Sequence, residues 1–477
     1  MAYLDKHLGL YTDLYELKMA QAFLLDGKGN CQASFDYFFR KTPFSSPFVV
    51  FSGLSELLES LQNLAFSNDD INYLKNIGFD ERFLEYLSHF SFKGEVCAAT
   101  EGDIVFPYEP IITIKGNIVE AQLIETLLLN IINFESLIAT KAFRIKQAAG
   151  NKQVIDFGLR RAQGLGGIHG SKASVAGGAN STSNVYSAFL FDLVPSGTMA
   201  HSFVQSYENE LEAFRVFAEN WPDKCVLLVD TYDTLRMGMP AAITIAKEME
   251  QKGQKLYGIR LDSGDLNSLS KEARKMLDEA GLPYVKIVAS SQLDEEVIHQ
   301  LENSKAPIDA YGVGTSMITG KDSGALDGVY KLSYFDGKPR LKISEDFNKI
   351  ILPGYKKVIR TSDYNGIFFA DIIAMENENL TEEVYDLFEK DRKFTVKVSQ
   401  SEPLLSKVMD DGKILVESKA PYTKAQYTNT RFQRFSKEKI TYLNFPDYNI
   451  WATSGLIHLR SNIVNQLKSK YESFTYS

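Results

Sequence analysis

Val226-Leu227-Leu228-Val229-Asp230-Thr231-Tyr232-Asp233 is an apolar run of strand length that ends abruptly in a polar cluster. The arrangement recurs three times downstream. Leu256-Tyr257-Gly258-Ile259 leads into Arg260-Leu261-Asp262-Ser263-Gly264-Asp265, Val285-Lys286-Ile287-Val288-Ala289 into Ser290-Ser291-Gln292, and Ile308-Asp309-Ala310-Tyr311 into Gly312-Val313-Gly314-Thr315-Ser316. Between and before these runs, helical stretches cover residues 207–220, 240–252, 271–280 and 294–304. Strands alternating with helices indicate a parallel sheet, and the extent of the alternation, residues 153–317, suits an irregular parallel α/β barrel. In such a barrel the C-terminal strand ends converge on one site. Just upstream, Gly197-Thr198-Met199-Ala200-His201-Ser202-Phe203 sets one of only six histidines among small residues, and would deliver it to that rim.

Working outward, the pattern predicts three segments: an α+β N-terminal domain over 1–118, the α/β barrel with its loops over 119–318, and a strand-rich C-terminal appendage over 319–477. The first carries helical spacing at 13–24, 54–64 and 71–89, an aromatic strand at 33–39, and two strands bounded by prolines at 104–106 and 111–114. A long helix is predicted over 119–149, stopped by Gly150. Beyond 318, apolar runs at 329–334 and 339–343 flank Phe335-Asp336-Gly337-Lys338, whose Asp-Gly pair marks a hairpin turn, and short strands continue to residue 374.

With 477 residues, 44% hydrophobic and 24% charged, the composition is that of a globular chain with a large core. A net charge of −9 argues against a nucleic-acid partner, whose binders carry a basic face. Cys31, Cys97 and Cys225 are odd in number and widely spaced, which reads as reduced thiols in a cytoplasmic protein. Residues 1–10 show no signal-peptide pattern, and no apolar stretch is long enough to span a membrane.

Each polar cluster admits a structural and a chemical reading. Asp156-Phe157-Gly158-Leu159-Arg160-Arg161-Ala162-Gln163-Gly164 follows a strand and opens a glycine-dense loop, so its arginines either bind a phosphate or carboxylate or are merely solvated. Gly312-Val313-Gly314-Thr315-Ser316 is either a tight turn or a phosphate loop. Arg260 and Asp262 either close their own loop as an ion pair, or grip an anionic ring substituent and ribose hydroxyls or a metal's water shell. Asp230 and Asp233 either cap a helix or orient a histidine or magnesium. His201 lies between Gly-Thr and Ser flanks that favour an exposed turn over a packed core.

Taken together and in order, these segments resemble the nicotinate phosphoribosyltransferase family. The matching stretches are Gly158-Leu159-Arg160-Arg161-Ala162-Gln163, Gly197 to Ser202, Val229 to Asp233, Arg260 to Asp265 and Gly312 to Thr315, with Thr12-Asp13-Leu14-Tyr15 and Phe38-Phe39-Arg40 near the N-terminus. The resemblance spans roughly residues 10–375; after Gly164 the chain departs from the family pattern, reading Leu165-Gly166-Gly167-Ile168 instead of a Pro-Asp-Gly run. It implies a type II phosphoribosyltransferase barrel and transfer of phosphoribosyl from phosphoribosyl pyrophosphate (PRPP) to nicotinate. The products would be nicotinate mononucleotide and pyrophosphate, with ATP hydrolysis coupled through a phosphohistidine. It further implies Mg2+ carried mainly on the pyrophosphate, no direct protein metal ligands, and a homodimer with shared active sites.

By the same resemblance His201 would be the phosphorylated residue and Asp230 would hold its imidazole. Arg260 with Thr198 would take the nicotinate carboxylate while Tyr15 of the neighbouring subunit stacks on the pyridine. Arg160 would gather anionic groups, Asp262 would hold the ribose, Gly314 and Thr315 would cradle the 5′-phosphate, and Ser202 would add a substrate contact. The rival readings are a nicotinamide-specific enzyme, a shorter quinolinate-type transferase without the histidine coupling, and a non-catalytic nicotinate sensor.

Overall fold

The computed structural model describes residues 6–343, 351–389 and 392–475. The sequence readings of residues 1–10 and of strands between 344 and 350 therefore fall partly or wholly outside the described residues. Contacts divide the chain into two compact units: Ile138–Gly324 with Ala420–Gln426, and Met1–Leu137 with Ala325–Lys419 and Tyr427–Ser477.

The unit beginning at Ile138 holds the repeated strand-and-cluster pattern. Its strands are β1 (Gln153–Asp156), β2 (Ser181–Thr182), β3 (Val226–Leu228), β4 (Gly258–Leu261), β5 (Lys286–Ala289) and β6 (Ala310–Val313). They form one parallel sheet in the order β2-β1-β6-β5-β4-β3, and a bridge from Thr182 to Pro195 carries the pairing one step past β2. The connections carry helices α1 (Gly166–Ala176), α2 (Val185–Phe191), α3 (His201–Gln205), α4 (Glu210–Asn220), α5 (Met239–Gln251), α6 (Leu266–Glu279) and α7 (Glu295–Asn303), with α8 (Thr315–Ile318) after β6. This is the irregular parallel α/β architecture that the alternation implies. Successive residues of a strand point to opposite faces, and Ile155, Val226, Val288 and Ala310 pack as one small cluster with Phe157 against it.

Side-chain caps set where the helices begin. Asn209 accepts from Glu212 N at the start of α4, Asp265 from Asn267 N and Ser268 N at α6, and Asp294 from Val297 N at α7. Hence α6 starts five residues earlier than apolar spacing predicts, and α4 three residues later. Register then aligns the strand ends: Arg260 of β4 lies opposite Leu228 of β3 and Val288 of β5.

Gly238 ends a π-helical turn, Thr234–Gly238, that follows β3. A Cβ there would lie 1.9 Å from the Val229 carbonyl oxygen, a backbone atom that cannot swing aside. Gly238→Ala should destabilise the fold by about 1–3 kcal/mol as an overpacking change. Thermal unfolding checks this, with an unchanged melting temperature as the contrary result.

In the other unit, Gln32–Phe39 pairs with both Ile112–Asn117 and Gly328–Phe335 in an antiparallel sheet of seven strands. Ser406–Asp410 joins the same sheet beside Glu95–Ala98. Residues past 325, read from sequence as a separate strand-rich segment, thus share a sheet with the N-terminal residues; they also supply a six-stranded mixed sheet and the long helices Pro421–Gln433 and Ser454–Thr475. The hairpin turn at Asp336-Gly337 forms with both residues at positive φ, but its second strand is only Lys338–Pro339. The helix expected over 71–89 is two helices, Asn68–Asn76 and Glu81–Ser88, divided by Gly78 at φ 95° and capped by Ser67 and Asp80. The long helix over 119–149 is likewise two, Ile118–Leu123 and Glu125–Ala149, and ends where Gly150 turns to φ 58°.

Candidate active site

The loops leaving β1 and β2, Arg260 of β4 and the segment ahead of α3 border a cleft of about 550 Å³, lined in part by Phe157, Arg160, Thr198, Met199 and Arg260. At the exit of β1, the buried Asp156 accepts from Gly158 N at 2.8 Å and from Thr182 Oγ1 at 2.8 Å, which fixes the turn. Phe157 occupies the space where a Cβ on Gly312 would lie, 2.4 Å from its ring, so β6 needs glycine at that point. The ring in turn underlies the Arg260 guanidinium, 5.2 Å from its centroid.

Arg260 is held on every side. Its Nε donates to Ser290 Oγ at 2.7 Å, Nη1 to Thr198 Oγ1 at 3.0 Å and Nη2 to Asp262 Oδ1 at 2.8 Å. Ser290 also donates to Asp262 Oδ1. Burial alone would raise the Asp262 carboxyl, but the Ser290 hydrogen bond and the Arg260 charge outweigh it and hold the group below its ordinary value. The ion pair and the ligand grip were alternatives in the sequence; the structure forms the ion pair, at the wall of a cleft where a ligand carboxylate could compete for the same fork.

His201 opens α3 with its side chain 40% exposed, enough for a ligand to reach it. Its Nδ1 is 3.1 Å from Thr231 Oγ1 and its Nε2 is 3.7 Å from Asp262 Oδ2. Asp230, expected at the imidazole, instead accepts from Asp262 N at 2.8 Å and Ser263 Oγ at 2.6 Å, tying the loop after β3 to the loop after β4. Asp233 follows its structural reading and caps the next turn by accepting from Arg236 N at 2.9 Å.

The structure therefore gathers His201, Thr198, Arg260, Asp262 and Asp230 through direct contacts, with Arg160 exposed on the cleft wall. Gly314 sits where an added Cβ would be 3.1 Å from Phe157 O, next to the exposed Thr315. Ser202 is exposed on α3. Tyr15 belongs to the other unit, exposed in the first turn of the helix Leu14–Leu25, where burial and the Glu125 and Glu16 carboxylates raise its phenol. Thr231 and Ser290 had no assigned role in the sequence, although both lie in the polar clusters that follow β3 and β5. Phe157 was invisible as a site residue because nothing local distinguishes a ring under a guanidinium from a core aromatic.

Three family models match the chain: the nicotinate phosphoribosyltransferase (NAPRTase) N-terminal domain over residues 10–133, the NAPRTase family over 152–362 and the NAPRTase C-terminal domain over 355–460. The chain is 46% identical over 386 residues to the nicotinate phosphoribosyltransferase of Bacillus subtilis (strain 168), covering 80% of this chain and 78% of that protein. Against the Homo sapiens nicotinate phosphoribosyltransferase it is 31% identical over 480 residues, covering 86% and 89%. The crystal structure of human nicotinic acid phosphoribosyltransferase superposes with a TM-score of 0.85 at 27% identity, covering 94% of this chain and 99% of that one.

Proposed function

The chain belongs to the nicotinate phosphoribosyltransferase family, and from that membership and its cleft we infer that it transfers phosphoribosyl from PRPP to nicotinate, releasing nicotinate mononucleotide and pyrophosphate. The observation that carries this reading is the Arg260 fork, fixed by Ser290, Thr198 and Asp262 at the wall of an open cleft. A planar guanidinium binds a carboxylate through two parallel hydrogen bonds, whereas a neutral amide brings no charge. Arg160, exposed on the same cleft, suits the phosphate-bearing substrate. With nicotinate and nicotinamide compared at equal concentration, product should form from nicotinate with a preference of about 10²-fold or more, the order expected when a charge-assisted pair is lost. Equal turnover of both would overturn the assignment.

Nicotinate's ring nitrogen carries its own lone pair, so attack on the ribose carbon needs no general base. The work left to the protein is orientation and stabilisation of charge as pyrophosphate departs. Asp262, kept ionised, is placed to accept from ribose hydroxyls or to face an oxocarbenium-like centre. The oxygen-rich loop of Asp262 and Ser263 is chemically suited to the water shell of a Mg2+ ion, which would come bound to the pyrophosphate of PRPP and the triphosphate of ATP and would offset part of their charge.

The same reading makes His201 the acceptor of the γ-phosphoryl group of ATP. With Nδ1 engaged by Thr231, the lone pair of Nε2 attacks phosphorus, the bond to the β-phosphate oxygen breaks and ADP leaves. Tyr15 from a second copy of the chain would stack on the pyridine, making the working unit a homodimer. We place the enzyme in the cytoplasm, in keeping with three free cysteines; among the described residues no helix is long and apolar enough to cross a membrane.

A further inference from the structure

The parallel sheet does not end cleanly at β2. Thr182 N donates to Val194 O at 3.0 Å and Ser196 N donates to Thr182 O at 2.9 Å, so residues 194–196 run beside β2 as a short parallel partner. In a parallel ladder the next bond of that series would join Val194 N to Asn180 O. A tyrosine takes that rung instead. Val194 N donates to Tyr422 Oη at 2.9 Å, and the Tyr422 hydroxyl donates to Asn180 O at 3.2 Å. A phenol both donates and accepts, so this one group satisfies the two backbone groups with matching polarity. Tyr422 lies in the first turn of the helix Pro421–Gln433, and Ala420–Gln426 group with the parallel unit.

One end of the bridge is anchored in the sheet. Asn180 N donates to Val154 O at 2.7 Å, and Asn180 Oδ1 accepts from Val154 N at 2.9 Å, which locks Asn180 to β1. The other end leads into the cleft. Residues 195–198 line it, and Thr198 Oγ1 accepts from Arg260 Nη1 at 3.0 Å. Gly197 lies between, and a Cβ added there would meet nothing within 4 Å, so packing does not fix this stretch. Its course is set by the hydrogen bonds on either side of it.

We propose that Tyr422 is a positioning residue: its hydroxyl closes the rung between Val194 and Asn180, and so holds the 195–198 wall of the cleft where Thr198 meets Arg260. The inference rests on Arg260 and Thr198 as the pair that takes nicotinate. Tyr422 makes no contact with the reacting atoms, and no covalent bond changes. The sequence assigned residues 319–477 to an appendage; a single hydroxyl from that stretch thereby acts on the site. Val194 is 49% exposed, so water can satisfy the same groups once the hydroxyl is removed, but a mobile water does not fix their spacing.

The test uses the full-length protein. Tyr422→Phe removes the hydroxyl and keeps the ring. Tyr427→Phe is the control: it removes a hydroxyl from the same helix, one that donates to Asp103 Oδ1 at 3.2 Å within the other unit. In hydrogen–deuterium exchange without ligands, the Val194 amide should exchange about 3–10-fold faster in Tyr422→Phe, and at the wild-type rate in Tyr427→Phe. In steady-state kinetics KM for nicotinate should rise by about the same 3–10-fold in Tyr422→Phe, with kcat and KM for PRPP within about twofold of wild type. An unchanged Val194 exchange rate in Tyr422→Phe overturns the bridge. Faster exchange with an unchanged KM for nicotinate overturns the positioning role, as does a rise in KM that Tyr427→Phe reproduces. A wild-type protein that makes no nicotinate mononucleotide sinks the functional reading and the role in nicotinate binding with it, while the bridge itself stands or falls by exchange.

Discussion

His201→Ala is expected to abolish acid-labile, base-stable labelling of the protein by ATP carrying a labelled γ-phosphate, and to remove the stimulation of nicotinate phosphoribosyl transfer by ATP. On the proposed reading the imidazole is the nucleophile; it is partly exposed, with Nδ1 held by Thr231 and Nε2 facing Asp262. Alanine deletes the nucleophile and leaves both partners in place. A phosphorylated histidine adds charge beside anion-binding loops, so it can alter PRPP affinity only through a coupling free energy, of the order of 1–3 kcal/mol or about 5–150-fold. Basal transfer without ATP should survive, because the Arg260 fork is untouched. Thr231→Val should slow labelling without abolishing it. A wild-type protein that takes up no label, yet makes nicotinate mononucleotide, would show that the transferase works without this device.

Arg260→Lys is expected to lower kcat/KM for nicotinate by about 10²–10³-fold, mostly through KM, with little effect on KM for PRPP. Lysine keeps the charge but not the fork. Its ammonium cannot reach Ser290, Thr198 and Asp262 together, and it cannot present two parallel donors to a carboxylate. The loss of the fork also leaves Asp262 and the buried Ser290 with fewer donors than Arg260 supplies, which adds a cost independent of substrate. Steady-state kinetics with nicotinate and nicotinamide separate these contributions, since discrimination between the two should collapse together with nicotinate binding. A lysine variant that retained full discrimination would assign carboxylate recognition to other residues.

The parallel unit was legible because each strand announces itself by a short apolar run and each site loop by the polar cluster after it. Order along the chain then stood in for adjacency in space. What stayed hidden depends on register. Nothing in Asp230 foretells that it will accept from Asp262 N; that bond exists because β3 and β4 lie side by side with Leu228 opposite Arg260. The pairing of Gly328–Phe335 with Gln32–Phe39 was equally out of reach, since both runs read as ordinary strands and their partnership spans most of the chain. Helix limits failed for a local reason. Gly78 and Asp80 hold both a stop and a start within a continuous apolar period, and periodicity alone passes over them.

Asp262 gives one oxygen to Arg260 and turns the other toward His201. The two ends of the site are thus joined by a single carboxylate, and reciprocity applies to whatever binds at either end. A carboxylate ligand that draws Arg260 away leaves more of the Asp262 charge to act on the imidazole. By the same factor, any change in the charge of His201 must alter how tightly Arg260 holds that ligand. Accounts of either end taken alone would assign to the histidine or to the arginine an energy that belongs to the aspartate between them.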